Sequence, residues 1–411
     1  MVRTSTSAAF LQSRWVIAAA GVLMQIALGA VYAWSVFRIP LTRSFGWTIS
    51  EVTLTFTIAI FVLGLAAFGG GLWMRRAGPR RVALTAGVLY GLGVGLASLS
   101  GGRLWWLYCS YGAIAGVGLG LGYIVPVATL VKWFPDKRGL ITGLAVAGFG
   151  AGALITAPIA TALIAAVGVL QTFAILGAVY FVAVTGGALF MRDPPDGYRP
   201  PGWTPTASQQ RAARSYTLGE AMRSWQWYGL WTLLFLNTTA GIAVISQAAP
   251  MVQEITNISA ARAASVVGII SIANGAGRLL WAWLSDVAGR RPVFLVMFLL
   301  QAIIFWLLPS AHSLTAFAVL TVLVLLCYGG GFGTMPAFAA DYFGTEHVGS
   351  IYGLMLTAWG VAGVLGPTLM ATLRERSGGY DQGLRLIAGL MLVSAIIPLL
   401  VRPPRAAHGA S

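Results

Sequence analysis

The sequence predicts an all-α membrane protein: twelve transmembrane helices in two pseudo-symmetric six-helix halves. Three observations predict it. Of 411 residues, 58% are hydrophobic and only 9% charged, against about 45–50% and about 25% in a soluble domain, and mean hydropathy is +0.81. Charges break the chain into apolar runs of helix-crossing length. The two ends of the chain also repeat one another. So little charge cannot cover a water-facing surface, which excludes a soluble enzyme, a disordered protein and a secreted disulfide scaffold.

A crossing helix needs about 20 apolar residues. Trp15–Phe37 is charge-free and gives the first span. It is too long for a signal-peptide core and no small-residue cleavage site follows it. Val52–Met74, Val82–Gly102 and Leu104–Val131 give the next three, and Gly139–Met191 gives two more with a turn near Gly168. Arg192–Arg223 contains DPPDGYRPPGWTP, where proline density forbids a crossing helix. Residues 1–191 therefore read as one half, 192–223 as a linker loop and 224–411 as the second half. Spans resume at Ser224–Gln253 and Ala263–Leu284, the latter interrupted only by Arg278. Pro292–Ala340 supplies two, split near His312, and His347–Leu373 and Leu386–Val401 are the last.

Net charge is +15, almost all from arginine, since lysine occurs only at Lys132 and Lys137. These cations sit in short loops, so their role is orientation rather than nucleic-acid binding. With both termini cytoplasmic, 18 of 26 lie in inner loops, among them Arg3, Arg211, Arg214 and Arg405; 7 lie in outer loops; Arg278 lies between. Cys109 and Cys327 fall inside apolar runs and read as small core residues.

The repeat is explicit. GLWMRRAGPRR (Gly71–Arg81) matches AWLSDVAGRR (Ala282–Arg291) at an offset of 211, and Val125–Gly143 matches Met335–Gly353 at 210, aligning Pro126 with Pro336 and Gly143 with Gly353. Duplicated helical halves are a mark of secondary transporters, with the substrate site at their interface near the bilayer midplane. The loops themselves resemble the G-x-x-x-D-R-x-G-R-R signature of the major facilitator superfamily. The resemblance implies the major facilitator fold, alternating access, and a latch at Gly71, Arg75, Gly78, Arg81, Asp286, Arg290 and Arg291. Arg75 departs from the pattern by replacing its acid, which Asp286 keeps in the second copy. Topogenic charge alone is the plainer reading of such loops.

No Asp or Glu lies deep in a span, and Arg278 is the intramembrane charge. Burying it costs at least about 2.5–3.5 kcal/mol, so it needs water, carbonyls or an anion. The functional reading is a bidentate grip on a substrate carboxylate; the plainer ones are snorkelling and carbonyl bonding. Asn274, four residues earlier, shares its helix face. This pattern resembles the monocarboxylate transporters and the oxalate:formate antiporter family, most closely in YAWSVF (Tyr32–Phe37), NGAGR (Asn274–Arg278) and the stretch from Tyr342 to TAWG ending at Gly360. In the first of these families Asn274 is an Asp linked to proton coupling, and Leu28 takes the place of a functional Lys; in the antiporter Trp359 is a second Lys. One cation matches one carboxylate, so a small monocarboxylate such as lactate or pyruvate is the expected partner, moving with a proton, or alternatively by anion exchange. Tyr32, Tyr123 and Tyr328, which the resemblance places near the site, supply hydroxyls, and Leu28, Leu144, Phe332 and Trp359 an apolar wall; ordinary helix packing is the competing role for each.

Glycine-rich stretches, among them Gly112–Gly122, Ala147–Ala153 and Tyr328–Gly333, read as small faces for close helix approach. Gly148 and Gly152 are expected on the sliding surface between halves, and Pro126, Pro158, Pro336 and Pro367 at matching kinks. No Walker A, HExxH or GxSxG sequence occurs, and His312, His347 and His408 are too scattered for a metal site. The expectation is a transporter rather than an enzyme, channel or sensor, needing no cofactor, contacting lipid but no nucleic acid, working as a monomer. Arginine-rich usage points to a bacterial inner membrane.

Overall fold

The structure is a computed structural model that describes residues 13–204, 215–257 and 260–404. Arg3, Arg211, Arg214, Arg405 and His408, together with 205–214 of the expected linker, lie outside the described residues. Among those described, ten stretches of helix are long and apolar enough to cross a bilayer. One of them, Ser50–Leu99, turns at Gly78 (φ 77°, ψ 163°), directly before Pro79, and is two crossings. The helix carrying Arg278 completes the expected twelve. They are α1 (Arg14–Phe45), α2 (49–77), α3 (79–96), α4 (Leu104–Trp133), α5 (Arg138–Val167), α6 (Val169–Ala188), α7 (Trp225–Thr256), α8 (Ala260–Ala288), α9 (Arg290–Leu307), α10 (Leu314–Phe343), α11 (Val348–Ser377) and α12 (Asp381–Leu400).

The sequence writes the helix ends. Ser13 and Ser313 cap α1 and α10, and Thr48 with Glu51 forms a reciprocal capping box before α2. Gly46 and Gly378 close α1 and α11 in the left-handed conformation that glycine adopts without penalty. Gly168 (φ 83°) separates α5 from α6 where the sequence places the turn. Spans run longer than their charge-free cores: α1 continues through Pro40 to Phe45, and α12 starts at Asp381 rather than Leu386. Charged residues at membrane ends can lie in helix while their heads reach water. Pro126, Pro158, Pro336 and Pro367 all sit inside helices. Four interruptions were not visible in the sequence: a 3-10 stretch at Ala30–Ala33 in α1, a π-helical stretch at Tyr108–Ala115 in α4, a break at Leu356 that divides α11, and one after Ser394 in α12.

Ion pairs concentrate at the end of the bundle that carries the Gly78 and Gly289 turns, here called the basic end. Arg14 makes a two-pronged contact with Asp136 (2.7 and 3.1 Å), and Lys132 meets Asp193 at 2.9 Å. There the halves also close on one another. Gly71 of α2 abuts the Gly349 carbonyl, and Gly139 of α5 abuts the Ala282 carbonyl. Gly143 faces the Arg278 carbonyl, and Gly150 faces Gly275. The expected sliding surface is thereby corrected. Gly148 and Gly152 lie against Val22, Gln25, Ile26 and Gly29 of α1, inside their own half. The seam is lined instead by glycines that include Gly64, Gly71, Gly139, Gly143, Gly150, Gly275, Gly349, Gly353 and Gly360.

Candidate functional site

α8 carries Arg278 into the middle of the bundle because glycines surround it. Gly277 allows α8 to touch the Leu326 carbonyl of α10, and Gly333 of α10 packs on the Arg278 backbone. The side chain is 0% exposed. Nη1 donates to the Val146 carbonyl of α5 at 3.1 Å, across the seam, and Nε donates to Asn274 Oδ1 at 3.4 Å. Nη2 is buried without a partner. The guanidinium carbon lies 5.2 Å from the Phe332 ring centre and 5.9 Å from that of Phe149. Arg278 thus bonds a carbonyl, as one plain reading holds, yet keeps one nitrogen free.

The free side faces a cluster of packed aromatic rings. Trp359 packs against Phe332, Tyr123, Phe149 and Tyr32 with ring centres 4.8, 6.0, 6.1 and 6.3 Å apart. Tyr328 leans on Phe332 at 5.4 Å, and Tyr32 on Phe149 at 5.3 Å. Tyr32, Tyr123 and Tyr328 are near enough to couple electrostatically to Arg278. The hydroxyls of Tyr32, Tyr123 and Tyr352 and Trp359 Nε1 are buried and make no hydrogen bond of ordinary geometry, although Tyr32 lies beside Arg278 and Tyr328, and Tyr123 beside Tyr352. The cluster is therefore rich in groups that can donate, and no carboxylate approaches Arg278 among the described residues. A buried donor without an acceptor costs about 1–3 kcal/mol, so this arrangement suits an acceptor-rich, negatively charged guest.

The structure brings Arg278, Asn274, Tyr32, Tyr123, Tyr328, Phe332 and Trp359 together. Leu28 is fully buried and rests on Gly122 of α4; Leu144 is half-buried, two residues from Val146. Sequence reasoning missed Phe149, Tyr352 and the Val146 carbonyl. Phe149 was legible as the one aromatic in AGFGAGA; a backbone acceptor leaves no mark in sequence.

The latch positions divide. Asp286 accepts from the Gly139 and Leu140 amides at 2.8 Å each, capping α5 from the other half, and pairs with Arg290 at 2.7 Å. Arg290 and Arg138 both reach Asp341 at 2.9 Å. Arg138 and Asp341 are charges of this cluster that the loop signature does not include. Arg291 instead donates to the Pro398 and Leu399 carbonyls of α12, within its own half. Arg75 and Arg81 are exposed, and Gly78 makes the turn between α2 and α3.

A model of the Major Facilitator Superfamily matches residues 16–244 and 230–411. An uncharacterized MFS-type transporter of Escherichia coli, YhjX, is 30% identical over 87% of this chain and 88% of its own. The oxalate:formate antiporter of Oxalobacter formigenes is 26% identical over 98% and 96%. The apicoplast pyruvate carrier 1 of Toxoplasma gondii is 27% identical over 82% and 73%. The E. coli fucose:proton symporter has the same fold, with a TM-score of 0.73, 14% identity, and coverage of 96% of this chain and 100% of its own.

Proposed function

The chain belongs to the major facilitator superfamily and is a multi-pass membrane transporter, not an enzyme; from that premise we propose that it carries small monocarboxylates of the lactate and pyruvate kind by alternating access. The observation that carries the proposal is the buried, unpartnered Arg278 Nη2 facing hydroxyl and indole donors with no acid beside them. A carboxylate satisfies that set, since it accepts at two oxygens and neutralises one charge. Oxalate brings two charges, and among the described residues this cluster offers one cation. The relatives support carboxylate cargo by name, one as an oxalate:formate antiporter and one as a pyruvate carrier. Asn274 holds the guanidinium plane, Tyr32, Tyr123 and Tyr328 bind the anion, and Trp359, Phe332, Leu28 and Leu144 exclude water. We further propose a bacterial inner-membrane monomer with the basic end and both termini in the cytoplasm, and Gly71, Arg75, Gly78, Arg81, Asp286, Arg290 and Arg291 in the closing of that end.

Coupling to a proton is the first reading of the energetics. One observation favours a second, the exchange of one anion for another. Among the described residues no acid or histidine borders Arg278, so the cluster holds no proton carrier, and an empty carrier must reorient with an uncompensated charge. Uptake of labelled lactate, pyruvate, formate and oxalate into proteoliposomes, with and without a pH gradient and with and without internal anion, tests both. The proposal expects saturable monocarboxylate uptake and poor competition by oxalate. Strong oxalate exchange overturns the monocarboxylate assignment, and loss of uptake without internal anion selects exchange over symport.

A further inference from the structure

Asp286, Arg290, Arg138 and Asp341 form a charged clasp around the start of α5, and the repeat assigns each of the four a counterpart on the other side of the seam. Arg75 corresponds to Asp286, Pro79 to Arg290, Val131 to Asp341 and Val348 to Arg138. The acids of the clasp have no acidic counterpart, yet the backbone geometry is kept: Gly71 packs on Gly349 as Ala282 packs on Gly139. On the first side Asp286 takes up the two leading amides of α5. On the second, with no carboxylate in that place, the Ser350 amide turns back to the His347 carbonyl at 3.1 Å. A cavity of about 260 Å³ lies there, bordered by Arg75, Lys132, His347 and Ser350.

His347 is the second indication. It is 7% exposed, and its Nδ1 has no hydrogen-bond partner. Two acids also border the cavity, but neither fills the role of Asp286. Asp193 is occupied by Lys132 at 2.9 Å, and the Glu346 side chain is 69% exposed, its carboxylate 3.7 Å from His347 Nε2. Arg75, an uncapped helix start and a buried imidazole nitrogen remain to meet a guest, and a helix start favours anions.

We propose that this cavity binds an oxyanion of the phosphate class, held by Arg75, His347 and the first turn of α11, and that the bound anion does for α11 what the Asp286 carboxylate does for α5. The field at His347 agrees. Burial, then Arg75 and Lys132, outweigh Glu346 and Glu220 and hold its pKa below the usual imidazole range; a bound anion reverses that push. Free inorganic phosphate and the phosphate headgroup of a membrane lipid share this chemistry. The inference is independent of the cargo assigned to Arg278.

The test is thermal unfolding of the purified full chain in maltoside at constant ionic strength. Inorganic phosphate is titrated in one arm and short-chain phosphatidylglycerol in the other, each against chloride. A saturable rise in Tm of about 2–4 °C is expected. Response to inorganic phosphate identifies a free anion, and response to the lipid alone identifies a headgroup. Arg75→Asp, which restores the acid of the second copy, is expected to lose the response while sitting near the Tm of the phosphate-saturated parent; Arg75→Gln is expected to lose it without that gain. Arg278→Gln is expected to keep it. No response in either arm overturns the proposal, as does a response that survives Arg75→Gln and His347→Ala, or one that Arg278→Gln abolishes.

Discussion

Arg278 keeps a full charge in the middle of the bundle with Val146 and Asn274 as its protein partners. Each makes a testable difference. Arg278→Ala is expected to abolish carboxylate uptake while the protein stays folded, checked by transport beside size-exclusion chromatography. Arg278→Lys retains charge but not the second nitrogen, and a hydrogen bond to a charged partner is worth about 1.5–3 kcal/mol, so half-saturation is expected to rise about 10–100-fold. Tyr123→Phe removes one hydroxyl and is expected to raise half-saturation by less, with the maximal rate little changed. At His347 the sign runs toward acid sensitivity. Its pKa lies below the ordinary value near 6.5, so the unfolded chain binds the proton more readily. The stability it contributes is present above about pH 6.5 and lost as pH falls through that value toward the folded pKa. Melting curves from pH 8 to 5 are expected to show this fall, and His347→Gln to flatten it. The site's charge was legible in the sequence because an arginine inside an apolar run has no cheap explanation. Its hydroxyls needed the family resemblance, and Phe149, Tyr352 and the Val146 carbonyl needed coordinates, because apolar walls and backbone oxygens look the same in sequence wherever they point.

Among the elements, α5 and α8 meet through an interaction that only one conformation can satisfy. Asp286 caps α5 across the seam, so opening the basic end leaves two amides and a carboxylate to water. A lost helix cap costs about 0.5–2 kcal/mol. Asp286→Ala is expected to shift the population toward that opening by about 3–30-fold, read as faster thiol labelling of a cysteine replacing the buried Thr142, whose hydroxyl donates to the Gly333 carbonyl across the seam. Gly152→Leu tests the corrected packing. A side chain at Gly152 meets the Ile26 carbonyl and the Gly29 backbone inside one half, so Tm and expression are expected to fall, whereas slowed transport in a fully stable protein would contradict the assignment. Helix count and turns were readable from charge spacing, because the bilayer penalises charge wherever it interrupts a span. The π-helical stretch in α4 and the break at Leu356 were not, since no proline or charge marks either place in the sequence. The misplacement of Gly148 and Gly152 has its own cause: glycine marks close approach but does not name the partner helix.

For the molecule as a whole, the repeat is the feature that sequence and structure share most completely. The offsets of 211, which aligns Gly71 with Ala282, and 210, which aligns Gly139 with Gly349, pair the same contacts in space. Counterflow is the measurement at this scale: unlabelled lactate inside proteoliposomes is expected to accelerate entry of labelled lactate, which a channel does not do. The two edges of the seam are nevertheless unequal. On one edge four charges knit α5 to α8 and α10; on the other α2 and α11 touch through bare glycine backbone. Separation is therefore expected to begin at the α2 and α11 border and to peel toward the ionic one, like a zip with a single fastened end. Spin labels across each border should part in that order, and raising ionic strength should hasten the second step more than the first.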